Sequence, residues 1–559
     1  MSLKRFLKRC LGKNTYEHHP DDFVHYENWL SNLKKRRTSG EFHYYPLISI
    51  VMPVYNVSLE WLKKAIDSIE NQTYQNWELC IADDASPNKE IQEYLMKREN
   101  EKIKVVLLKE NSHISVASNA ALQLAKGDYI ALLDHDDELI DDALFEVVKL
   151  LNKDPSLDLV YTDEDKKLLD GRRVYPAFKG GWNPEMLFSF MYVGHLGVYR
   201  KKIIDEIGGF RQGFEGAQDY DLILRFTEKT NKIAHLPKVL YHWRMIPGST
   251  AVEVNSKNYA YDRGRLAVFQ SLQRRKIPCV GVDEDTKVKG NYIPRFKLDS
   301  FPKVLLIIKF YEEDGEDTKK KLELIKAKTN YSNVEILGLH PRCEFNDGDL
   351  KCVTYSNNDF ESIVSEVRRS NAEVLSILGS DIEPESEYWI EKMLPYALRE
   401  EIAGVSGRIV SNKQKIQYSG GYYKFSKSGI EIMRADHNER EDALGYLGRI
   451  RRIQNTTVWF ERAVMLRTSL LNNYLEQKNS LNNFDDLSIF LLFNEKLHLY
   501  HPFIKFKTNN SYDSQYTITN PTLIEKWTGV IEKRDVLLNS QITYINGKLV
   551  LKSKGDVND

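Results

Sequence analysis

The first 140 residues alternate between two apolar rhythms. "PLISIVMPVYN" (46–56) is a nearly continuous apolar run that ends at Pro53 and Asn56, the signature of a strand buried on both faces. "LEWLKKAIDSIENQ" then spaces Leu59, Leu62, Ile66 and Ile69 as a helix does. "WELCIADDAS" is a second strand, closing on Asp83, Asp84 and Ser86. A polar helix, the strand "IKVVLL", a helix around "VASNAALQLAKG" and the strand "DYIALLD" continue the series. Strand–helix alternation with polar residues at the strand ends predicts a doubly wound α/β sheet. Ligands of such sheets bind beyond the carboxyl ends of the strands.

The rhythm breaks at 271–300, where Pro278, Gly281, Gly290 and Pro294 punctuate a charged stretch. It resumes at "PKVLLII" and runs to about residue 510. The expected organisation is a basic extension (1–45), a first α/β unit (46–270), a linker (271–300), a second unit (301–510) and a polar tail (511–559). The two units are internally similar. "TYQNWELCIADDAS" (73–86) matches "NYSNVEILGLHPRC" (330–343), with Tyr74, Asn76 and Glu78 answering Tyr331, Asn333 and Glu335. "GDYIALLDHDDEL" (127–139) matches "AEVLSILGSDIEP" (372–384), and "QDYDLILRF" (218–226) matches "NFDDLSIFL" (483–491). A period of this length is a tandem duplication of a domain and not a solenoid.

Bulk properties narrow the classes. At 559 residues the chain exceeds a single core. A net charge of −1 gives no global field for nucleic acid. The five cysteines are scattered, with no disulfide or zinc pattern, which suits a reducing cytoplasm. No apolar run reaches the roughly 18–20 residues of a membrane span. The start, "MSLKRFLKRCLGK", carries Lys4, Arg5, Lys8, Arg9 and Lys13, with Leu3, Phe6, Leu7 and Cys10 at helical spacing. Residues 1–13 suit a peripheral contact with the anionic inner face of a membrane, or else a frayed or self-packed terminus.

The chemistry concentrates in "IALLDHDDEL" (130–139), where a buried strand ends in Asp134, Asp136, Asp137 and Glu138. Crowded carboxylates require solvent or a cation. Oxygen ligands select Mg²⁺ or Mn²⁺, and a sparse carboxylate site leaves room for a substrate's phosphates. The competing account is a helix cap, because "DELIDDALFEVVKLL" reads as a helix. Two further segments weigh against a cap. "EGAQDYDLILRF" sets Gln218, Asp219 and Asp221 at a helix start, and "VLYHWRMIPGST" ends an apolar run in His242 and Arg244.

With those motifs in place, the chain resembles the family 2 glycosyltransferases. "VMPVYN", "ADDAS", "NSHISVASNAAL", "LLDHDDEL", "EGAQDYDL" and "LYHWRMIPGSTA" fall in the family's order across residues 46–255. The nearest type is the tandem-domain, rhamnosyltransferase-like bacterial enzyme of surface-polysaccharide synthesis. The resemblance implies a GT-A domain, the Rossmann-like nucleotide-sugar-binding fold, and an inverting transfer. Pro53 and Tyr55 would border the nucleobase, Asp83 would bond it, and Asp84 would lie nearby. Asp134 would face the ribose or a metal-bound water. Asp136 and His242 would ligate the metal, Arg244 would meet phosphate, and Asp219 would be the general base. The partners implied are a nucleotide-sugar donor and a glycan or lipid-linked glycan acceptor. The family's glycine and arginine in the third motif are here His113 and Ala117. The aromatic stretch 175–200 would shape the acceptor side, with Trp182 and Tyr192 as sugar-stacking candidates and core packing as the alternative.

The second unit keeps the apolar scaffold and loses the chemistry. Asp134 faces Gly379, Asp136 faces Asp381, Asp83 and Asp84 face His340 and Pro341, Asp219 faces Phe484 and His242 faces Lys507. The expectation is a degenerate GT-A-like domain. Three readings compete with a single active site: an active, metal-independent second domain, a non-catalytic glycan-binding protein, and a nucleotidyltransferase or phosphohydrolase.

Overall fold

The computed structural model describes Tyr26, Leu30 and residues 41–551, apart from 247–257, 312–317, 356–358, 427–428, 478–480, 519, 532–536, 538–539 and 546–547. The basic segment 1–13 lies outside the described residues, as does the "PGSTA" end of the last family motif.

The first half builds a nine-stranded sheet. Its elements are β1 (Ile48–Val54), α1 (Leu59–Glu70), β2 (Trp77–Asp83), α2 (Lys89–Arg98), β3 (Ile103–Leu107), α3 (His113–Leu124) and β4 (Tyr129–Leu132). There follow β5 (Glu138–Leu139), α4 (Ala143–Lys153), β6 (Leu159–Lys167), β7 (Arg173–Ala177), α5 (Pro184–Ser189) and β8 (Gly197–Arg200). The half ends with α6 (Lys201–Glu206), α7 (Gln218–Phe226), β9 (Ile233–Arg244) and α8 (Asn258–Arg274). The order is β3-β2-β1-β4-β8-β6-β9-β5, with β7 beside β6. β1 to β4 are parallel, as the alternation predicts, but β8 runs antiparallel to β4 and β6, and β5 antiparallel to β9. The sheet is therefore mixed and not uniformly doubly wound.

Apolar spacing explains how the layers seat. Leu62, Ala65, Ile66 and Ile69 of α1 are buried against Ile50, Met52 and Leu79 on one face of the sheet. Ala117 and Ala121 of α3 pack with Val51, Cys80 and Ala82 on the other. Truncating a buried leucine such as Leu62 to alanine costs roughly 2–5 kcal/mol.

The stretch expected as a linker is structured. It is the end of α8 followed by an antiparallel hairpin of β10 (Cys279–Glu284) and β11 (Tyr292–Phe296). The prolines and glycines that read as a break are the punctuation of that hairpin.

The second half repeats the plan with β12 (Val304–Lys309), β13 (Val334–His340), β14 (Phe345–Asp347), β15 (Leu350–Thr354), β16 (Val374–Gly379), β17 (Ile382–Pro384), β18 (Ile402–Ser411) and β19 (Ile416–Tyr418). β20 (Gly421–Ser426) and β21 (Gly429–Arg434) form a side sheet, and β22 (Gln454–Thr456), β23 (Ala463–Arg467) and β24 (Leu497–Thr508) return to the main one. Its order is β14-β15-β13-β12-β16-β23-β18-β24-β17, with β19 beside β18. Setting aside the extra edge strand β14 and β22, which pairs with β24, each position has its counterpart in the first sheet. The tail, read as polar and weakly periodic, contributes β25 (Gln515–Ile518) to the side sheet and a helix, Pro521–Ile531. Among the described residues, no helix is long and apolar enough to cross a membrane.

Candidate active site

The carboxyl ends of β1, β2 and β4 face one edge and bring "VMPVYN", "ADDAS" and "LLDHDDEL" together. Asp83 is the last residue of β2, in register with Val54 of β1, and is fully buried. One carboxylate oxygen accepts from the Ser86 amide (3.0 Å) and from Gln92 Nε2 (3.4 Å), while among the described residues the other is buried with no partner. A bare buried acceptor costs about 1–3 kcal/mol. Asp84 accepts from the Ser112 amide at 2.7 Å and fixes the turn into α3. The next residue, His113, sits at φ 67°, a conformation that glycine enters freely. That explains why glycine suits this motif position. Ala117 is buried on α3 and offers no polar group. Tyr55 is 46% exposed beyond β1.

None of the acids in "LLDHDDEL" caps a helix. β5 intervenes, and α4 starts at Ala143 with Asp142 as its N-cap. The cluster divides in two. Asp137 is wholly buried and accepts from the Tyr241 hydroxyl (2.5 Å) and the Arg244 amide (2.8 Å). Burial, followed by Asp136 and Asp134, holds its carboxyl well above the usual range. Glu138 forms ion pairs with Arg244 and Lys167. These two acids build the loop. Asp134 and Asp136 remain. Asp134 has a 43% exposed side chain with His195 Nε2 at 3.8 Å. Asp136 is half-buried, and among the described residues its carboxylate has no side-chain partner. Burial is the main cause that raises its carboxyl, and Asp134 adds to it.

Arg244 does not point freely at the ligand edge. Its guanidinium is buried, paired with Glu138, bonded to the Asp136 carbonyl (2.9 Å) and laid over the Trp61 ring (4.6 Å). Arg244 thus supports the acid loop through Glu138 and the Asp136 carbonyl. His242 faces Glu138 across β5 and β9 and is likewise buried. Its Nδ1 lies 2.6 Å from Asp165, which also receives the Tyr26 hydroxyl (2.7 Å) and Arg173 Nε (2.6 Å). Burial lowers the imidazole's pKa despite Asp165, which favours the neutral ring. Bonding Nδ1 to a carboxylate is the usual way to orient Nε2 toward a metal. Among the described residues, no group of three or more His, Cys, Asp or Glu side chains is arranged to hold an ion by itself.

Asp219 opens the first turn of α7 and accepts from the Tyr220 amide at 2.8 Å. Burial raises its carboxyl, partly offset by His195. Asp221 is structural: it is buried and pairs with Arg225 (2.8 Å) and Arg211. Tyr192, offered as a sugar platform, is core. Its ring is buried edge-on to Tyr161, and its hydroxyl accepts from the Asn183 amide at 2.8 Å. Trp182 remains partly accessible beside it.

Sequence reasoning passed over His195. Its ring stacks on Tyr241 (4.6 Å), it approaches Asp134, and its field reaches Asp219. Lys179 pins its loop by bonding the carbonyls of Val193 and His195, both at 2.5 Å. His195 lies two residues before β8, inside a stretch read for its aromatics. An antiparallel strand brings its start to the ligand edge, and that rule would have found it.

The sheet is mixed α/β, with acids gathered at its ligand edge. The model of glycosyl transferase family 2 matches residues 49–208, and the chain belongs to that family. It is 30% identical over 241 residues to the putative glycosyltransferase EpsE of Bacillus subtilis, covering 42% of this chain and 84% of EpsE. It is 27% identical over 435 residues to the O-antigen biosynthesis protein RfbC of Myxococcus xanthus, covering 74% of this chain and 34% of RfbC. Both halves of the chain must contribute to a match that wide. The chain spans less than half the length of the curated relatives that it matches over most of its own extent. A solved structure, S. aureus TarS 1–349 in complex with UDP-GlcNAc, is 22% identical with a TM-score of 0.34, over 40% of this chain and 66% of that one.

Proposed function

We propose that the first half transfers a sugar, with inversion, from a nucleoside-diphosphate sugar to a hydroxyl of a growing bacterial surface polysaccharide or lipid-linked glycan. The observation that carries this reading is the bare, buried oxygen of Asp83 at the same sheet edge as the unpartnered carboxylate of Asp136. Asp83 suits an N–H of the nucleobase, with Tyr55 and Pro53 beside it, and Asp134 faces the ribose side. The acceptor oxygen attacks the anomeric carbon from the face opposite the diphosphate. Asp219 takes the hydroxyl proton as that bond forms and the bond to the diphosphate oxygen breaks. Burial raises the proton affinity of Asp219 and so strengthens it as a base. Asp136 and Nε2 of His242 are the residues that would hold Mg²⁺ or Mn²⁺, whose charge would stabilise the departing diphosphate. RfbC's description as an O-antigen biosynthesis protein supports a polysaccharide acceptor.

The second half is proposed as a GT-A-like domain without catalysis. Its surviving acid, Asp381, is taken up by Arg462 (3.2 Å), Asn510 (2.9 Å), Thr508 (3.3 Å) and Tyr512. A Cβ at Gly379 would meet Asp381 Oδ1 at 2.7 Å and Arg462 Cβ at 3.3 Å, so any side chain there requires the Asp381 carboxylate to shift.

The test is nucleoside-diphosphate release from a panel of UDP-, GDP- and dTDP-sugars with Mn²⁺ or Mg²⁺, with and without envelope glycan extracts. At least one donor is expected to be consumed. Silence with every donor and extract contradicts the reading, and so does unchanged transfer in Asp219→Asn. The proposed membrane contact predicts that deleting residues 1–13 weakens sedimentation with anionic vesicles.

A further inference from the structure

The two halves meet through buried polar contacts that concentrate on one segment, Pro176–Phe190, the candidate acceptor wall. Asn183 and Asn455 bond reciprocally: Asn183 Nδ2 donates to the Asn455 carbonyl (3.0 Å), and the Asn455 amide donates to Asn183 Oδ1 (2.9 Å). Asn455 Oδ1 also accepts from the Glu185 amide (3.1 Å). Arg399 forks onto the Glu185 carboxylate, with Nη1–Oε2 at 3.0 Å. The Arg452 guanidinium lies 3.3 Å from the Phe190 ring centroid. The Tyr446 hydroxyl accepts from the Phe178 amide and donates to the Pro176 carbonyl, both at 2.8 Å. Asn183, Glu185, Asn455 and Arg452 are all buried. A flexible tether between independent domains does not need such a seam.

Two routes lead from this seam to the candidate base. In the first, Asn455 and Arg399 hold α5, whose Leu187 carbonyl accepts the Tyr220 hydroxyl. Tyr220 is the neighbour of Asp219. In the second, Arg451 grips Asp285 of the β10–β11 hairpin with two bonds of 2.6 Å. The same hairpin carries Tyr292, which stacks on Tyr220 at 5.9 Å. The second half thus holds both surfaces that fix Tyr220.

We propose that the second half is a brace for the first: Arg399, Arg451 and Asn455 are positioning residues that set the acceptor wall and, through Tyr220, the start of α7. The inference rests on Asp219 as the base, but its test includes an arm that needs no substrate. In the full chain, Asn455→Ala and Arg451→Ala should raise amide hydrogen exchange at 183–190 and at 218–222 at least tenfold, with β1 to β4 unchanged. Where a donor and an acceptor are in hand, transfer should fall about tenfold or more while donor KM stays within twofold. Arg451→Lys should restore part of the transfer. Unchanged exchange at 218–222 overturns the brace, as does a uniform rise over the whole first sheet, the mark of lost stability alone. Should the alanine variants fail to fold, Tyr220→Phe removes only the hydroxyl bonded to Leu187. It must raise exchange at 218–222, and no change there overturns the proposal. If the wild-type chain consumes no nucleotide sugar, the proposed function fails, and the exchange arm still decides the brace.

Discussion

The two halves share a scaffold down to individual hydrogen bonds. The Tyr74 hydroxyl donates to the Pro46 carbonyl at 2.7 Å, and that of Tyr331 to Pro302 at 2.8 Å. Asn76 Nδ2 donates to the Tyr45 carbonyl, and Asn333 Nδ2 to that of Phe301. Strand register extends the match. β1–β4 pairs Ile48 with Tyr129 where β12–β16 pairs Val304 with Val374, and the antiparallel neighbours contribute Arg200 and Arg467. Counting from those anchors sets Asp134 against Gly379, Asp136 against Asp381 and His195 against Arg462. Glu138 faces His242, and Glu383 faces Lys507. What differs is the charge at the ligand edge. In the first half a half-buried carboxylate is left unpaired. In the second a guanidinium occupies the place of His195 and pairs with the acid directly. On the proposed reading, a fixed internal cation there stands where the first half would hold a metal. The comparison teaches that the fold requires the tyrosine and asparagine anchors, while the acids are free to change.

The comparison can be broken most forcefully at Asp219. Asp219→Asn should reduce transfer by about 10²–10⁴, the usual contribution of a general base. In the wild type, transfer should fall as pH drops through the Asp219 pKa, because the protonated acid cannot accept the acceptor's proton. Burial raises that pKa, so the fall begins above the ordinary carboxylate range near 4. A flat acid limb contradicts the assignment. Asp136→Ala should come next, with a large loss of transfer and of its dependence on added Mn²⁺; a variant that still responds to the metal sets the site elsewhere.

Two smaller effects sharpen the second half. Asp485 is half-buried, and desolvation with Glu461 raises its carboxyl to about 6. Its charged form is therefore disfavoured in the fold, and stability contributed by the protonated state is lost as pH rises through about 6. Asp485→Asn should stabilise the protein by up to about 3 kcal/mol above that pH and by little at pH 4. Calorimetric melting at both pH values checks this, and an equal shift at each rejects it. Asp381→Asn, which keeps most of the hydrogen bonds, should leave transfer within about twofold; a total loss would make the second half catalytic.

Much of this contrast was legible in the residues. Alternating strands and helices located β1 to β4, and the tyrosine and asparagine of the duplicated "YxNxE" pattern make equivalent bonds in both halves. The fate of each acid was not legible. Asp136, Asp137 and Glu138 are consecutive, yet among the described residues one has no side-chain partner, one holds Tyr241 and one holds Arg244. Only the pairing of β5 with β9, two residues long, separates them. The surroundings of Arg244 and Tyr192 were hidden for the same reason: their partners come close only through β9 and the 175–200 segment. The mixed sheet escaped because an antiparallel β8 has the same apolar composition as a parallel one. The hairpin at 279–296 escaped because proline and glycine punctuate turns and linkers alike.

The most direct test of the central claim, that nucleotide chemistry resides in the first half alone, is binding stoichiometry. Titrating the full chain calorimetrically with UDP, GDP and dTDP in the presence of Mn²⁺ should find one site per chain for the preferred nucleotide, abolished by Asp136→Ala and unaffected by Asp381→Asn. Two sites per chain, or one that survives Asp136→Ala and disappears with Asp381→Asn, would contradict the account.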